Sequence, residues 1–340
     1  MAAATDLAPR KGRMPEVVTF GECMLRLAPP DFQRLEQATQ LNITVGGSEL
    51  NVATGIARLG LSAGWVSRLP ENPLGRMVRN KAREMGVDTS HVLWTRDDRL
   101  GLYFVEYGAS PRASSVLYDR AFSAISRIQP GQVNWREAFQ GCRLFHVSGI
   151  TPALSDQAAA VTADALTAAK NAGALVSYDL NYRAKLWSQE KARQVQTPFM
   201  GQIDILITTE EDTERVFGIT GQNYRDVARS LADLFRLKVV AITLRGTPSV
   251  WRNTWSALAY ADGKFYDDGT YDVEVVDRVG SGDAFSAGFL YGFLTEGVER
   301  GVRVGNALAA LKHTSWGDFN WATKEETEAL LKGSGLRIVR

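Results

Sequence analysis

Apolar, β-branched runs alternate with stretches of helical period along most of this chain, and that alternation restricts the fold more than any single residue does. Runs at 17–27, broken by Gly21, and at 63–69, 175–179, 203–207 and 239–244 read as strands, and 147–150 ends another. Helical spacing fills 48–59, 72–85, 153–171, 209–218, 284–294 and 301–313. This order predicts an α/β fold with a mostly parallel central sheet and helices on both faces. Such sheets bind ligands beyond the carboxyl ends of their strands. Segments 46–51, 179–187, 208–212, 243–246 and 277–283 all fall at or just after strand ends, so the pattern gathers them into one site. Residues 31–45 carry strand alternation, and 102–107 and 115–118 are strands joined by a polar hairpin around Gly108 and Pro111. Together, 31–45 and 100–119 predict a small separate sheet, and 249–276 alternates like antiparallel edge strands.

Of 340 residues, 45% are hydrophobic, enough to bury a large core as one big α/β domain or two smaller ones. The 39 basic and 38 acidic residues nearly cancel and form no basic block, which argues against nucleic acid as a partner. No apolar run approaches the ~18 residues of a membrane span. Residues 1–14 read as a disordered tail; 1–13 lack the apolar centre of a secretory signal, and Met14 is an alternative start. Cys23 and Cys142 both lie in apolar segments, which fits buried thiols in a reduced, cytoplasmic protein. His91, His146 and His313 have no metal-ligand spacing.

The sharpest chemical signal is Val276-Asp277-Arg278-Val279-Gly280-Ser281-Gly282-Asp283-Ala284-Phe285, a strand, a glycine turn and a helix start. Small residues at a helix N-terminus leave N–H groups free for an anion, and the helix dipole favours one. Asp283 in the first turn is a carboxylate able to take a proton from a hydroxyl. A cradle beside a base suits phosphoryl transfer to an alcohol. The plain alternative is a helix cap. The chain has no G-x-x-x-x-G-K-[ST] loop, and this turn lacks the third glycine of a dinucleotide fingerprint, which argues against an oxidoreductase.

Asp277-Arg278-Val279-Gly280-Ser281-Gly282-Asp283 resembles the D-x-x-G-x-G-D signature of the PfkB (ribokinase-like) sugar kinases. Gly46-Gly47-Ser48-Glu49-Leu50-Asn51-Val52-Ala53 is similar to the family's G-G-x-x-x-N-x-A element; by itself it reads equally as a strand-to-helix turn with a surface Asn. Asp179-Leu180-Asn181-Tyr182-Arg183 continuing to Leu186-Trp187 resembles D-x-N-x-R-x-x-L-W, and Gly317-Asp318-Phe319-Asn320 matches an element of the 2-keto-3-deoxygluconate kinase branch. Over about 15–335, the resemblance implies a single three-layer αβα domain whose small sheet is a lid that helps exclude water. It implies Asp283 as catalytic base and Gly280, Ser281 and Gly282 as the anion hole. ATP and Mg²⁺ are implied, with Thr243, Arg245 and Gly246 at the nucleotide, Asp212 holding Mg²⁺ through water, and K⁺ near Asp277. Two departures stand out. Thr209 replaces the family's usual Asn, leaving a plain capped acidic turn as the alternative there, and Arg245 and Pro248 alter the nucleotide loop. Residues 317–320 are assigned to the adenine or monovalent-cation loop.

Tyr118-Asp119-Arg120 and Tyr182-Arg183 each set an Arg beside a Tyr. Neutral sugars need no guanidinium, whereas a carboxylate is bound well by one. The branch implies that Gly46, Gly47, Asn51, Tyr103, Tyr118, Arg120, Ile150 and Arg183 contact a sugar acid. The expectation is thus an ATP-dependent kinase making the 6-phosphate of 2-keto-3-deoxygluconate, with a homodimer through the lid. The alternatives are a ribokinase- or fructokinase-like kinase of a neutral sugar, and a non-catalytic sugar-acid sensor on the same fold.

Overall fold

Val17 and Val18, neighbours on one strand, are buried in two different apolar cores, and the same split separates Ile205 from Leu206 and Val239 from Val240. Side chains alternate across a strand, so a sheet covered on both faces must read as a continuous apolar run. The computed structural model describes residues 14–333. The tail expected over 1–14 lies outside them apart from Met14, as do residues 334 and 335 of the expected domain.

The order is β1 (Val17–Phe20), β2 (Met24–Ala28), β3 (Asn42–Gly46), α1 (Ser48–Leu59), β4 (Ala63–Pro70), α2 (Pro73–Glu84), β5 (Val92–Thr95), β6 (Leu102–Glu106) and β7 (Ser115–Asp119). It continues through α3 (Trp135–Ala138), β8 (Leu144–Ser148), α4 (Asp156–Asn171), β9 (Leu175–Asp179), α5 (Gln189–Gln196), β10 (Ile205–Thr208), α6 (Glu210–Phe217) and α7 (Tyr224–Phe235). Last come β11 (Val239–Ser249), β12 (Arg252–Ala261), β13 (Lys264–Asp267), β14 (Tyr271–Glu274), α8 (Ser281–Glu296), α9 (Val298–His313) and α10 (Lys324–Leu331).

The large sheet runs β13-β12-β11-β10-β9-β8-β1-β4-β5, with β14 also on β12. Strands from β11 to β5 are parallel; β12, β13 and β14 pair antiparallel, as the 249–276 alternation predicts. One face is covered by α1, α2, α8 and α9, the other by α4 and α7, giving three layers. From β1 the chain adds β4 and β5 on one side and β8 to β11 on the other. The switch point between β1 and β8 is where such a sheet opens a crevice. Glycines let α8 and α9 pack closely: a Cβ at Gly288 would lie 2.7 Å from the Val304 carbonyl oxygen.

The small sheet has the order β3-β2-β6-β7. The break expected at Gly21 is where the chain leaves the large sheet after Phe20, and β2 pairs with β3 and β6. One expectation is corrected. Of 31–45, only Asn42 onward is strand, because 31–41 has no neighbour to pair with and turns through a short 3₁₀ segment, Leu35–Gln37.

Candidate active site

Two helix N-termini meet at the switch point. Asp283, in the first turn of α8, accepts from Ser48 Oγ at 2.7 Å and Asn51 Nδ2 at 2.6 Å, both in the first turn of α1. Asn181, just past β9, donates to Ser48 Oγ at 3.3 Å. Burial pushes the Asp283 carboxyl above its ordinary pKa, and the bonds from Asn51 and Ser48 pull it partly back. Gly280 has φ 86°, and a Cβ there would collide with the Asp318 carbonyl, so glycine is required twice over. The turn commits the N–H and hydroxyl of Ser281 to the Arg278 carbonyl, at 3.2 and 2.8 Å. The Gly282 and Asp283 N–H groups remain at the mouth of α8, where an anion is favoured.

A cavity of about 110 Å³ opens beside this mouth. It is lined by Gly46, Gly47, Asn51, Tyr103, Tyr118, Arg120, Ile150 and Arg183, together with Gly280 and Asp283. The two arginines differ. Arg120 is ion-paired with Glu22, which is 2% exposed and also accepts from Ser123. Arg183 donates to the Tyr182 carbonyl at 3.0 Å and makes no salt bridge among the described residues. Asp179 lies close by; burial pushes its pKa well up, and Asp283 and Asp212 push it further.

Glu22, Ser48, Asn181 and Asp318 also share the cavity; the last three lie in motifs singled out in the sequence but were given no individual role there, and Glu22 was not reached. Ser48 was findable, since i and i+3 place it on one helix face with Asn51. Glu22 was not, because its partner Arg120 is 98 residues away. Of 317–320, expected at the adenine or monovalent-cation loop, Asp318 lies at the acceptor cavity. Its carboxylate lines the cavity, accepting from Tyr103 Oη at 2.5 Å and Arg26 Nη1 at 2.9 Å. Arg26 also pairs with Asp277 at 2.7 Å, tying the small sheet to the glycine turn. Removing one partner of such a buried network typically costs about 3–5 kcal/mol.

Thr243, Arg245 and Gly246 fall outside this cavity. The strand expected to stop at 244 continues to Ser249, because residues through Gly246 stay paired with β12; the register breaks only between Gly246 and Ser249, around Pro248. The Arg245 guanidinium lies over the Trp255 ring at 5.3 Å. Burial lowers its pKa, and the like charges of Arg183 and Arg278 lower it further, so three guanidiniums converge here. Thr209 caps α6, accepting from the Asp212 N–H at 3.0 Å. Asp212 itself is half-buried; burial raises its pKa and Arg183 pulls it back. No cluster of three His, Cys, Asp or Glu able to hold a metal occurs among the described residues. Mg²⁺ bound mainly by water and phosphate needs only one or two carboxylates, and Asp212 fits that demand.

The family model described as pfkB family carbohydrate kinase matches residues 14–323. A 2-dehydro-3-deoxygalactonokinase of Haloferax volcanii is 38% identical over 326 residues, covering 96% of this chain and 99% of the relative. A 2-dehydro-3-deoxygluconokinase of Bacillus subtilis is 30% identical, covering 93% of this chain and 95% of the relative. The crystal structure of a 2-dehydro-3-deoxygluconokinase from Thermotoga maritima is 42% identical, with a TM-score of 0.92 over 94% of this chain and 99% of that one.

Proposed function

The chain belongs to the PfkB family of carbohydrate kinases, phosphotransferases with an alcohol group as acceptor, and from that premise we propose that it phosphorylates a 2-keto-3-deoxy sugar acid on its 6-hydroxyl, using ATP. The gluconate form is the first candidate, and the galactonate form follows from the Haloferax relative. One observation carries the acid reading: Arg183 faces the same cavity as Asp283 and makes no salt bridge among the described residues. A guanidinium there can take a substrate carboxylate in two charge-assisted bonds.

Asp283 takes the proton of the acceptor hydroxyl as that oxygen bonds to the terminal phosphorus and the phosphorus–oxygen bond to ADP breaks. Its raised pKa makes it a stronger base than an exposed carboxylate, and Ser48 and Asn51 keep it aimed. The mouth of α8 stabilises charge on the transferring group, as an oxyanion hole does. Asp212 is the residue that would hold Mg²⁺, through water, and the bound ion would further neutralise the phosphates. Arg245 and Arg278 add fixed positive charge nearby.

The test is ADP release across ketodeoxy, aldonic and neutral sugars. Ketodeoxy acids should give the highest kcat/KM. A neutral hexose turned over as fast would favour the ribokinase-like alternative, and no ADP release with any acceptor would favour a sensor.

A further inference from the structure

Lys312, on the last turn of α9, is 0% exposed, and its charge plays no part in the steps above. Its Nζ donates to two main-chain carbonyls, Asp277 at 3.1 Å and Ser315 at 3.2 Å. Asp277 begins the glycine turn. Its N–H and that of Val276 bond to the His313 carbonyl, at 3.1 and 2.8 Å, so the turn and the end of α9 form one unit. Carbonyl oxygens converging on a buried point are what K⁺ binds in place of water. An ammonium of similar size already occupies that point.

The family leads one to expect K⁺ near Asp277, and the residues present do not fit it. The Asp277 carboxylate is taken by Arg26 at 2.7 Å, Tyr107 Oη at 2.8 Å, and the Gly317 and Val279 N–H groups at 3.0 Å each; its carbonyl is taken by Lys312. Burial disfavours the ammonium, whereas Asp277 and Asp318 favour it. We propose that the Lys312 ammonium stands in place of a monovalent cation, fixing the glycine turn from beneath, so that the kinase works without K⁺. Lys312 is then a positioning residue, acting through the main chain of Asp277.

The experiment follows turnover and thermal unfolding with tetramethylammonium as the only cation besides Mg²⁺, then with K⁺, NH₄⁺ or Na⁺ added at constant ionic strength. For the wild type, neither kcat nor Tm should respond to K⁺; stimulation of turnover or a rise in Tm specific to K⁺ overturns the proposal. Lys312→Ala removes the ammonium and keeps the carbonyls. Its kcat should fall by about tenfold, less than the ~10²–10³ lost with a donor on the oxyanion itself. K⁺ or NH₄⁺ should restore kcat and raise Tm, while Na⁺ should do so poorly. Lys312→Met fills the space without charge and should show the loss without rescue. A folded Lys312→Ala protein that ignores K⁺ and NH₄⁺ also overturns the proposal. If that variant does not fold, the wild-type titration decides. The proposal rests on the kinase reading only for turnover; the Tm arm needs no sugar, so failure of the acceptor assignment would be seen separately.

Discussion

Arg120 and Arg183 read alike in the sequence, each beside a tyrosine, and their partners separate them. Arg183 makes no salt bridge among the described residues and is the one proposed to meet a substrate carboxylate. Charge-assisted bonds of this kind are worth ~1.5–3 kcal/mol each. Arg183→Ala should therefore cost ~10- to 100-fold in kcat/KM for a ketodeoxy acid, at ~1.4 kcal/mol per decade, and leave any accepted neutral sugar nearly unchanged. Lysine should rescue in part, lacking the planar fork. Equal losses on acid and neutral substrates would mean that Arg183 serves the phosphates, beside Arg245 and Arg278. Arg120→Ala strands the buried Glu22 carboxylate, so its larger effect should be a lowered Tm. For the base, Asp283→Asn keeps the size and one acceptor but cannot take a proton. Its kcat should fall ~10²-fold or more with ATP affinity little changed, and near-normal turnover would remove Asp283 from the role.

Elements built from local signals were legible, and those defined by distant partners were not. Helix 48–59 is bounded as read, because Gly60, at φ 106°, closes it. The edge strands after 249 followed from alternation alone. Gly21 marks the break between β1 and β2, but the change of sheet escaped because a period of two says nothing about which sheet a strand joins. The same holds for β11, whose extension depends on β12. Within α1, Glu49 shows how a legible helix can hide an illegible contact. It is 0% exposed, and its Oε1 accepts from the Ser148 N–H at 3.0 Å, the Ser148 hydroxyl at 2.7 Å and the Thr151 hydroxyl at 2.8 Å. Burial pushes its carboxyl from an ordinary 4.5 up to about 7. A folded pKa above the unfolded one means that the folded chain binds the extra proton. Stability from this group is thus full below about 4.5 and is lost as pH rises to about 7. His146, pushed by burial from 6.5 down to about 3, acts oppositely, adding stability as pH rises between those values. Glu49→Gln removes only the first effect. The variant's urea-derived stability relative to wild type should climb from pH ~5 to ~8, by at most about 3 kcal/mol at ~1.4 kcal/mol per unit. A flat difference across that range would show that Glu49 does not titrate there.

At the scale of the whole molecule, the small sheet has two unlike faces. Cross-strand register puts Arg26, Tyr103 and Tyr118 in one row toward the cavity, and Ile43, Leu27, Phe104 and Leu117 in the adjacent row on the opposite face. That outer row is apolar across all four strands, yet Ile43 is 52% and Leu117 60% exposed. A contiguous apolar stripe on a sheet face marks a contact surface, and a two-fold axis lets one patch cover its own copy. A homodimer through the small sheet was the expectation from the resemblance; the register supplies the residues that would form its contact. We predict that two copies pair through these faces. Sedimentation equilibrium at micromolar concentration should then give a dimer. Leu117→Lys, placing a charge at the centre of the pairing, should shift the mass to that of a monomer. Because Leu117 points away from the acceptor cavity, unfolding of the separated subunit should remain cooperative. A wild-type protein that sediments as a monomer would remove the lid pairing and leave the kinase chemistry, which lies on the other face, as it stands.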